Sequence, residues 1–393
     1  MSLNSFELGL PSKVVFGRGV SKDAAQLATQ MGRSILLVTG KQTQRVQSII
    51  DLLQHKAARM THHIVTGEPT VWALNAGVAK ARDAGCDAVL AVGGGSTLDM
   101  GKAIAAMLNN PGDPLEYLEV VGAGQPLINR SVPCITVPTT AGTGAEVTRN
   151  AVLCVEDQHV KVSLRSPLIL PAAAYIDPDM TKVMPPSITA TTGCDALLQL
   201  MEAYTTRRSN PLTDMLCVNG LKQAFWALPA AVEDGDNMDA REAMCLASLY
   251  SGIALTNAGL GAIHGFAAAI GGLTGARHGA TCAALAPSVL RTNIKAIRER
   301  CCDCPVLGRY QQLAAMATQR DDAPAEALAD WLEDLIVRLH IPTLKEQGLS
   351  ADALPQLVSQ ARQASSMKGN PIELTEEEML DTLTAAGFTT VSV

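Results

Sequence analysis

The chain has 393 residues, of which 47% are hydrophobic, 18% charged and 3% aromatic. That length accommodates two or three domains, and the apolar fraction excludes intrinsic disorder. Lys and Arg number 31 against 38 Asp and Glu, a net charge of -7, so no cationic field draws the protein to nucleic acid or to anionic lipid.

The opening residues, Met1 to Ser5, lack the basic head and apolar core of a signal peptide. The nearest approach to a membrane span is Gly259 to Ala276, which carries six glycines and a histidine. A soluble, cytoplasmic protein is therefore expected. Its ten cysteines are scattered and read as reduced thiols rather than a disulfide scaffold. The Cys301-Cys302-Asp303-Cys304 cluster has no second Cys pair or nearby His to complete a four-ligand metal set, and reads as structural.

In chain order, Phe6 to Phe16 is β-like with a Pro11-Ser12 break, fit for an edge hairpin or for pairing with another subunit. Ser34 to Val38 and Asp87 to Val92 read as buried strands, and Val132 to Val137 as a third. Between the first two, Val71 to Ala84 is apolar at helical spacing and closes on Gly85, a usual residue at a helix end. Leu98 to Leu108 is again helical. This rhythm predicts a parallel sheet with covering helices. Beyond Pro185-Pro186 the strand signal fades. Ser187 is placed to cap a helix through Met201, and Leu212 to Leu228, Ala240 to Thr256 and Ala325 to Leu339 read as long helices. The fold class is thus an α/β parallel-sheet domain followed by an all-α domain, with the seam near Asp177 to Pro186.

Two loops of the first half carry chemistry. Gly93-Gly94-Gly95-Ser96 lies between a buried strand and a helix, where outward N–H groups and the positive end of the helix dipole suit a phosphate. The same residues would also serve as a tight connection. Asp99, one turn further, can bond the loop backbone or a ribose hydroxyl. The second loop, Pro138 to Glu146, places three threonines and two glycines within six residues. Both loops belong at the carboxyl edge of one parallel sheet, where open α/β sheets bind ligands. Neither is GxGxxG, and no Walker motif is present.

The helical half holds a different constellation. Asp195 and Gln199 stand at i and i+4, on one helix face. His264 and His278, two of only seven histidines, are each followed by glycine in the most apolar stretch of the chain. A carboxylate and two imidazoles are plausible ligands for Zn²⁺ or Fe²⁺, although a buried histidine is more often a hydrogen-bonded core residue.

Taken together, the two glycine loops, Thr192-Gly193-Cys194-Asp195-Ala196-Leu197 and the His264-Gly265 and His278-Gly279 pairs resemble the iron-containing (group III) alcohol dehydrogenase family. Val137 to Thr148, VPTTAGTGAEVT, is close to a family signature, and the similarity runs through the whole chain. The resemblance implies an α/β dinucleotide-binding domain over 1–183, an all-helical metal and substrate domain over 184–393, and a cleft between them. It implies NAD(P)-dependent interconversion of small alcohols with aldehydes or ketones, in homodimers or larger assemblies. Gly94, Gly95, Ser96, Asp99, Thr139, Thr140, Thr143 and Lys161 fall on cofactor-binding positions. Asp195, His264 and His278 fall on three of the four ligands of an Fe²⁺ or Zn²⁺ ion, with both histidines next to the chemistry.

Four positions depart from the family pattern. Gln199 stands where the fourth ligand is a histidine, and it is expected in the metal set as a weaker carbonyl ligand, as a ligand through water, or as a gap that leaves three ligands. Ala268 stands where many members have a proton-relay histidine, and Glu68 where many have asparagine. Thr39-Gly40-Lys41 replaces the acidic residue that in many members holds the ribose 2′-hydroxyl of NAD, so NADP is expected to be accepted. The alternatives are a metal-free reductase using His264 or His278, and a dinucleotide-binding protein without turnover.

Overall fold

The computed structural model describes residues 5–56, 59–158, 160–301 and 303–388. Met1 to Asn4 of the expected N-terminus, and Cys302 of the cysteine cluster, lie outside the described residues. The chain forms two compact units, Met1–Met184 and Pro185–Val393.

The first unit runs β1 (Lys13–Phe16), α1 (Ser21–Met31), β2 (Ser34–Gly40), α2 (Gln47–Lys56), β3 (Arg59–Val65), α3 (Val71–Asp83), β4 (Ala88–Gly93), α4 (Gly95–Asn109), β5 (Cys134–Pro138), β6 (Asn150–Val155), β7 (Val160–Arg165) and β8 (Ala173–Ile176). Six strands pair in the order β1-β8-β5-β4-β2-β3, and every pairing is parallel. Successive strand residues face opposite sides of a sheet, and the cores follow that alternation. Leu36, Val38, Val89 and Ala91 pack under α3 and α4, whereas Ile35, Leu37, Ala88, Leu90 and Val92 pack under α1 and α2.

The N-terminal stretch differs from its expectation. It forms no hairpin: Lys13–Phe16 is an edge strand in parallel register with Ala173–Ile176. Short β8 supplies only four residues, so its parallel crossover gave no long apolar run to read. An antiparallel hairpin, β6 with β7, also stands outside the parallel sheet.

The second unit is helical: α5 (Pro186–Thr205), α6 (Pro211–Glu233), α7 (Met238–Ala258), α8 (Ala262–Thr274), α9 (His278–Arg300), α10 (Val306–Thr318), α11 (Ala327–Arg338), α12 (Leu354–Gln363) and α13 (Glu376–Gly387). Ser187 does not cap α5. Pro185 stands at the N-cap and Pro186 opens the helix, a position where the missing N–H costs nothing. The α5 helix is buried along most of its length because small residues admit its neighbours. A Cβ on Gly193 would come within 2.3 Å of Leu228 Cδ1. Among the described residues no single helix is long and apolar enough to cross a membrane.

Candidate functional site

In the first unit the two loops meet at the carboxyl ends of β4 and β5, where Gly93 lies opposite Pro138 in register. Thr139 N–H donates to the Gly93 carbonyl at 2.9 Å. Space is tight at Gly95 and ordinary at Gly94. A Cβ on Gly95 would stand 2.9 Å from Thr143 Oγ1, and one on Gly94 would reach Thr140 Cγ2 at 3.4 Å. Gly94 is the N-cap of α4; Thr97 N–H turns back to the Gly94 carbonyl at 2.9 Å, and the N–H groups of Gly95 and Ser96 have no partner within the helix. Neighbouring β2 ends at Gly40. Its chain turns to β3 on one side while β4 connects toward β5 on the other, a reversal that opens a crevice at the sheet edge.

Gly94, Gly95, Ser96, Thr140 and Thr143 are partly exposed at this edge, and Thr139 is buried behind them. Asp99 is not at the loop surface. It is buried, its Oδ2 accepts from Val152 N–H at 3.0 Å, and its Oδ1 is 2.9 Å from Lys102 Nζ. Burial pushes its carboxyl up, against the opposing charge of Lys102 and the Val152 bond. Lys161 sits on β7, 3.5 Å from Glu68 Oε2, so the unusual Glu68 has a cationic partner.

The second unit brings Asp195, His264 and His278 together. Asp195 lies mid-way along α5, His264 in the first turn of α8, and His278 opens α9. His264 Nε2 is 3.2 Å from Asp195 Oδ1, His278 Nε2 is 3.8 Å from the same oxygen, and the rings are 5.4 Å apart. The glycine after His278 explains the approach. A Cβ on Gly279 would lie 2.1 Å from the Thr191 carbonyl oxygen, so only glycine lets α9 begin against α5. Asp195 and His264 are buried, whereas the His278 side chain is 41% exposed.

Two further residues complete the cluster, and neither was foreseen. Cys282 Sγ is 3.6 Å from His278 Nε2, and single donor atoms of Asp195, His264, His278 and Cys282 all lie within 4.8 Å of one another. Glu202 Oε2 lies 2.6 Å from His264 Nδ1. A carboxylate only accepts, so Nδ1–H donates to Glu202 and, in the charged imidazolium, Nε2–H donates to Asp195. Losing the Nε2 proton gives the cluster a lone pair there while Glu202 keeps the proton on Nδ1. Glu202 also accepts from the N–H groups of Gly261 at 3.0 Å and Ile263 at 2.7 Å, capping α8. The sequence does hold signals for both. Cys282 is one turn after His278, and Glu202 two turns after Asp195 on the same face.

Gln199 turns its carbonyl oxygen to the Ser251 hydroxyl, which donates to it at 2.9 Å and also reaches the Ser248 carbonyl at 2.8 Å. Burial opposes ionisation of Asp195. Hydrogen bonds from His264 and Gln199 and the charges of both histidines hold it below the usual carboxylate range nonetheless. Burial likewise opposes a charged His264, yet Cys282, Asp195 and Glu202 hold its pKa well above the ordinary value. For His278 the Cys282 charge is the chief cause of an upward shift. The Cys282 thiol is raised by burial and lowered more by the two histidines, for a net downward direction. Four electron-rich donors converging in a buried space need protons or a cation between them. A carboxylate, two imidazoles and a thiol fit a divalent transition metal, and an imidazole oriented by a carboxylate is the usual support of such a ligand. Among the described residues this is the only such group of three or more His, Cys, Asp or Glu side chains. Cys301 and Cys304 form none.

Comparison with known proteins decides the family. The iron-containing alcohol dehydrogenase model matches residues 11–178, and the C-terminal model of the Fe-containing alcohol dehydrogenase family matches residues 189–387. The chain belongs to the iron-containing alcohol dehydrogenase family. It is 32% identical to a choline dehydrogenase of Bacillus subtilis over 381 residues, 95% of this chain and 92% of that one. It is 33% identical to a 1,3-propanediol dehydrogenase of Klebsiella pneumoniae over 387 residues, 96% and 98% of the two chains. The crystal structure of a sulfoacetaldehyde reductase from Bifidobacterium kashiwanohense in complex with NAD+ superposes with a TM-score of 0.86 at 28% identity, covering 98% of this chain and 100% of that one. As an iron-containing alcohol dehydrogenase the chain is an oxidoreductase acting on alcohol groups.

Proposed function

We propose that this protein interconverts a small alcohol with its aldehyde or ketone, using NAD(H) or NADP(H) and a divalent metal, Fe²⁺ or Zn²⁺. The observation that carries the reading is the convergence of Asp195, His264 and His278 with a carboxylate-oriented imidazole. When bound, the nicotinamide exchanges a hydride and the metal supplies positive charge facing the substrate oxygen.

The chain's own residues do the rest. Gly94, Gly95 and Ser96 offer first-turn N–H groups to the pyrophosphate, with the hydroxyls of Thr139, Thr140 and Thr143 beside them and Lys161 as a cation. Asp99 acts from behind, anchoring α4 to Val152. In the second unit Asp195 and His264 are held rigid by burial and by Glu202. His278, partly exposed, is the member of the cluster open to solvent and to a substrate. Ala268, one turn after His264, offers no titratable group, so no side chain at that position would relay the alcohol proton and water would have to carry it. Low aromatic content favours small or polar substrates.

Gly40 and Lys41 support acceptance of NADP(H), since no carboxylate at the end of β2 repels a 2′-phosphate and the exposed Lys41 attracts one. Free thiols among the described cysteines fit a reducing cytoplasm. The edge position of β1, with Phe6, Leu8 and Leu10 exposed beside it, supports pairing with a second copy.

The test is a panel of small alcohols and aldehydes with both nicotinamides, read by cofactor absorbance. Turnover that falls at least about 100-fold on chelation and returns with Fe²⁺ or Zn²⁺ is expected. Undiminished turnover in metal-free protein supports the metal-free reductase, and cofactor binding without turnover across the panel supports the binding protein. A strong NAD preference overturns the NADP assignment.

A further inference from the structure

Family resemblance implies an imidazole one turn after Asp195, and this chain has Gln199 there. Its carbonyl oxygen is occupied by Ser251, a buried hydroxyl 2.9 Å away, and its amide side favours the charged form of Asp195. A side chain so engaged presents donor hydrogens, not a lone pair, to the cluster. On the α9 side of the same space stands Cys282. It is fully buried, one helical turn after His278, and its sulfur lies within 4.8 Å of the other three donor atoms. The chain holds other buried cysteines, Cys86, Cys134, Cys194, Cys217 and Cys245, and among the described residues none of them joins such a cluster.

We infer that the thiolate of Cys282 replaces the missing imidazole, so that the metal is held by Asp195, His264, His278 and Cys282 while Gln199 braces Asp195 without coordinating. This rests on the metal-dependent reading above and specifies the ligands of that site. One sulfur, two nitrogens and one oxygen form a donor set suited to zinc. Binding replaces the S–H bond by a metal–sulfur bond and releases the thiol proton to solvent. No electron is transferred.

The experiment is cobalt substitution of the full-length apo protein, with absorption spectra of wild type, Cys282→Ser and Gln199→Ala. The expected result is a near-ultraviolet thiolate-to-cobalt charge-transfer band in wild type and Gln199→Ala, absent in Cys282→Ser. Zinc affinity of Cys282→Ser should fall by about tenfold or more, the scale at which losing a supporting contact already tells. Stoichiometric cobalt binding by wild type without the charge-transfer band overturns the thiolate ligand and leaves the metal-dependent reading standing. No binding of cobalt or zinc by wild type overturns both. If Cys282→Ser does not fold, zinc-edge X-ray absorption of wild type decides. One sulfur at about 2.3 Å supports the inference, and a nitrogen and oxygen shell alone overturns it.

Discussion

The carboxylate of Glu202 accepts from the backbone of α8 and from His264 Nδ1 at 2.6 Å, so a helix start and an imidazole share one anchor. Glu202→Gln keeps an acceptor for the backbone but can present a donor to Nδ1, reversing the tautomer. We expect a loss of about 10–100-fold in metal affinity, measured by competition with a chromophoric chelator, with the far-ultraviolet dichroism unchanged. A second residue couples to pH. Burial pushes the Glu146 carboxyl up to about 7 from an ordinary 4.5. The native state therefore binds this proton more tightly than the unfolded chain. Its contribution is complete below the unfolded value and is lost as pH rises through about 7. Denaturant unfolding should show wild type losing on the order of 2–3 kcal/mol between about pH 4.5 and about pH 7 from this group, a loss that Glu146→Gln removes. At this scale Asp195, His264 and His278 were legible because acid and imidazole stand out in an apolar setting. Cys282 does not stand out among the other buried thiols, nor Glu202 among the helix carboxylates, because their partners come from distant helices.

At the scale of elements, α4 is held by a single buried cation. Lys102 is fully buried, donates to Ala145 O and Thr148 Oγ1 at 2.8 Å, also reaches Asn150 O, and pairs with Asp99. It ties the glycine-loop helix to the threonine loop and to β6. Lys102→Met strands Asp99 as an uncompensated charge and should cost about 3–5 kcal/mol in thermal or denaturant unfolding. In the second unit the start of α9 depends on Gly279. Gly279→Ala brings a Cβ to 2.1 Å from Thr191 O, so α9 must shift. A destabilisation of about 1–3 kcal/mol is expected, together with weakened metal binding as His278 moves from Asp195. The buried strands β2, β4 and β5 were legible because they are apolar on both faces, as a covered parallel sheet demands. Edge strand β3 was not: its RMTHHIV sequence is only partly buried and lacks an apolar run. The alternation of β6, buried at every second residue, was available in the sequence but is short.

Across the whole molecule, the residues argued to carry the chemistry fall into two compact units, a glycine- and threonine-lined sheet edge proposed to take a dinucleotide phosphate and a helical cluster proposed to take a cation. The glycines of both units work alike, each removing a Cβ where a loop or helix must come close. The central claim is that Asp195, His264 and His278 hold one metal ion. Anomalous diffraction from crystals grown with Zn²⁺ or Fe²⁺ and NADPH, collected on either side of the metal edge, tests it directly. The account predicts one strong peak within about 2.0–2.2 Å of both imidazole Nε2 atoms and of an Asp195 oxygen. A cluster without that peak, in crystals whose nicotinamide is well ordered, contradicts it.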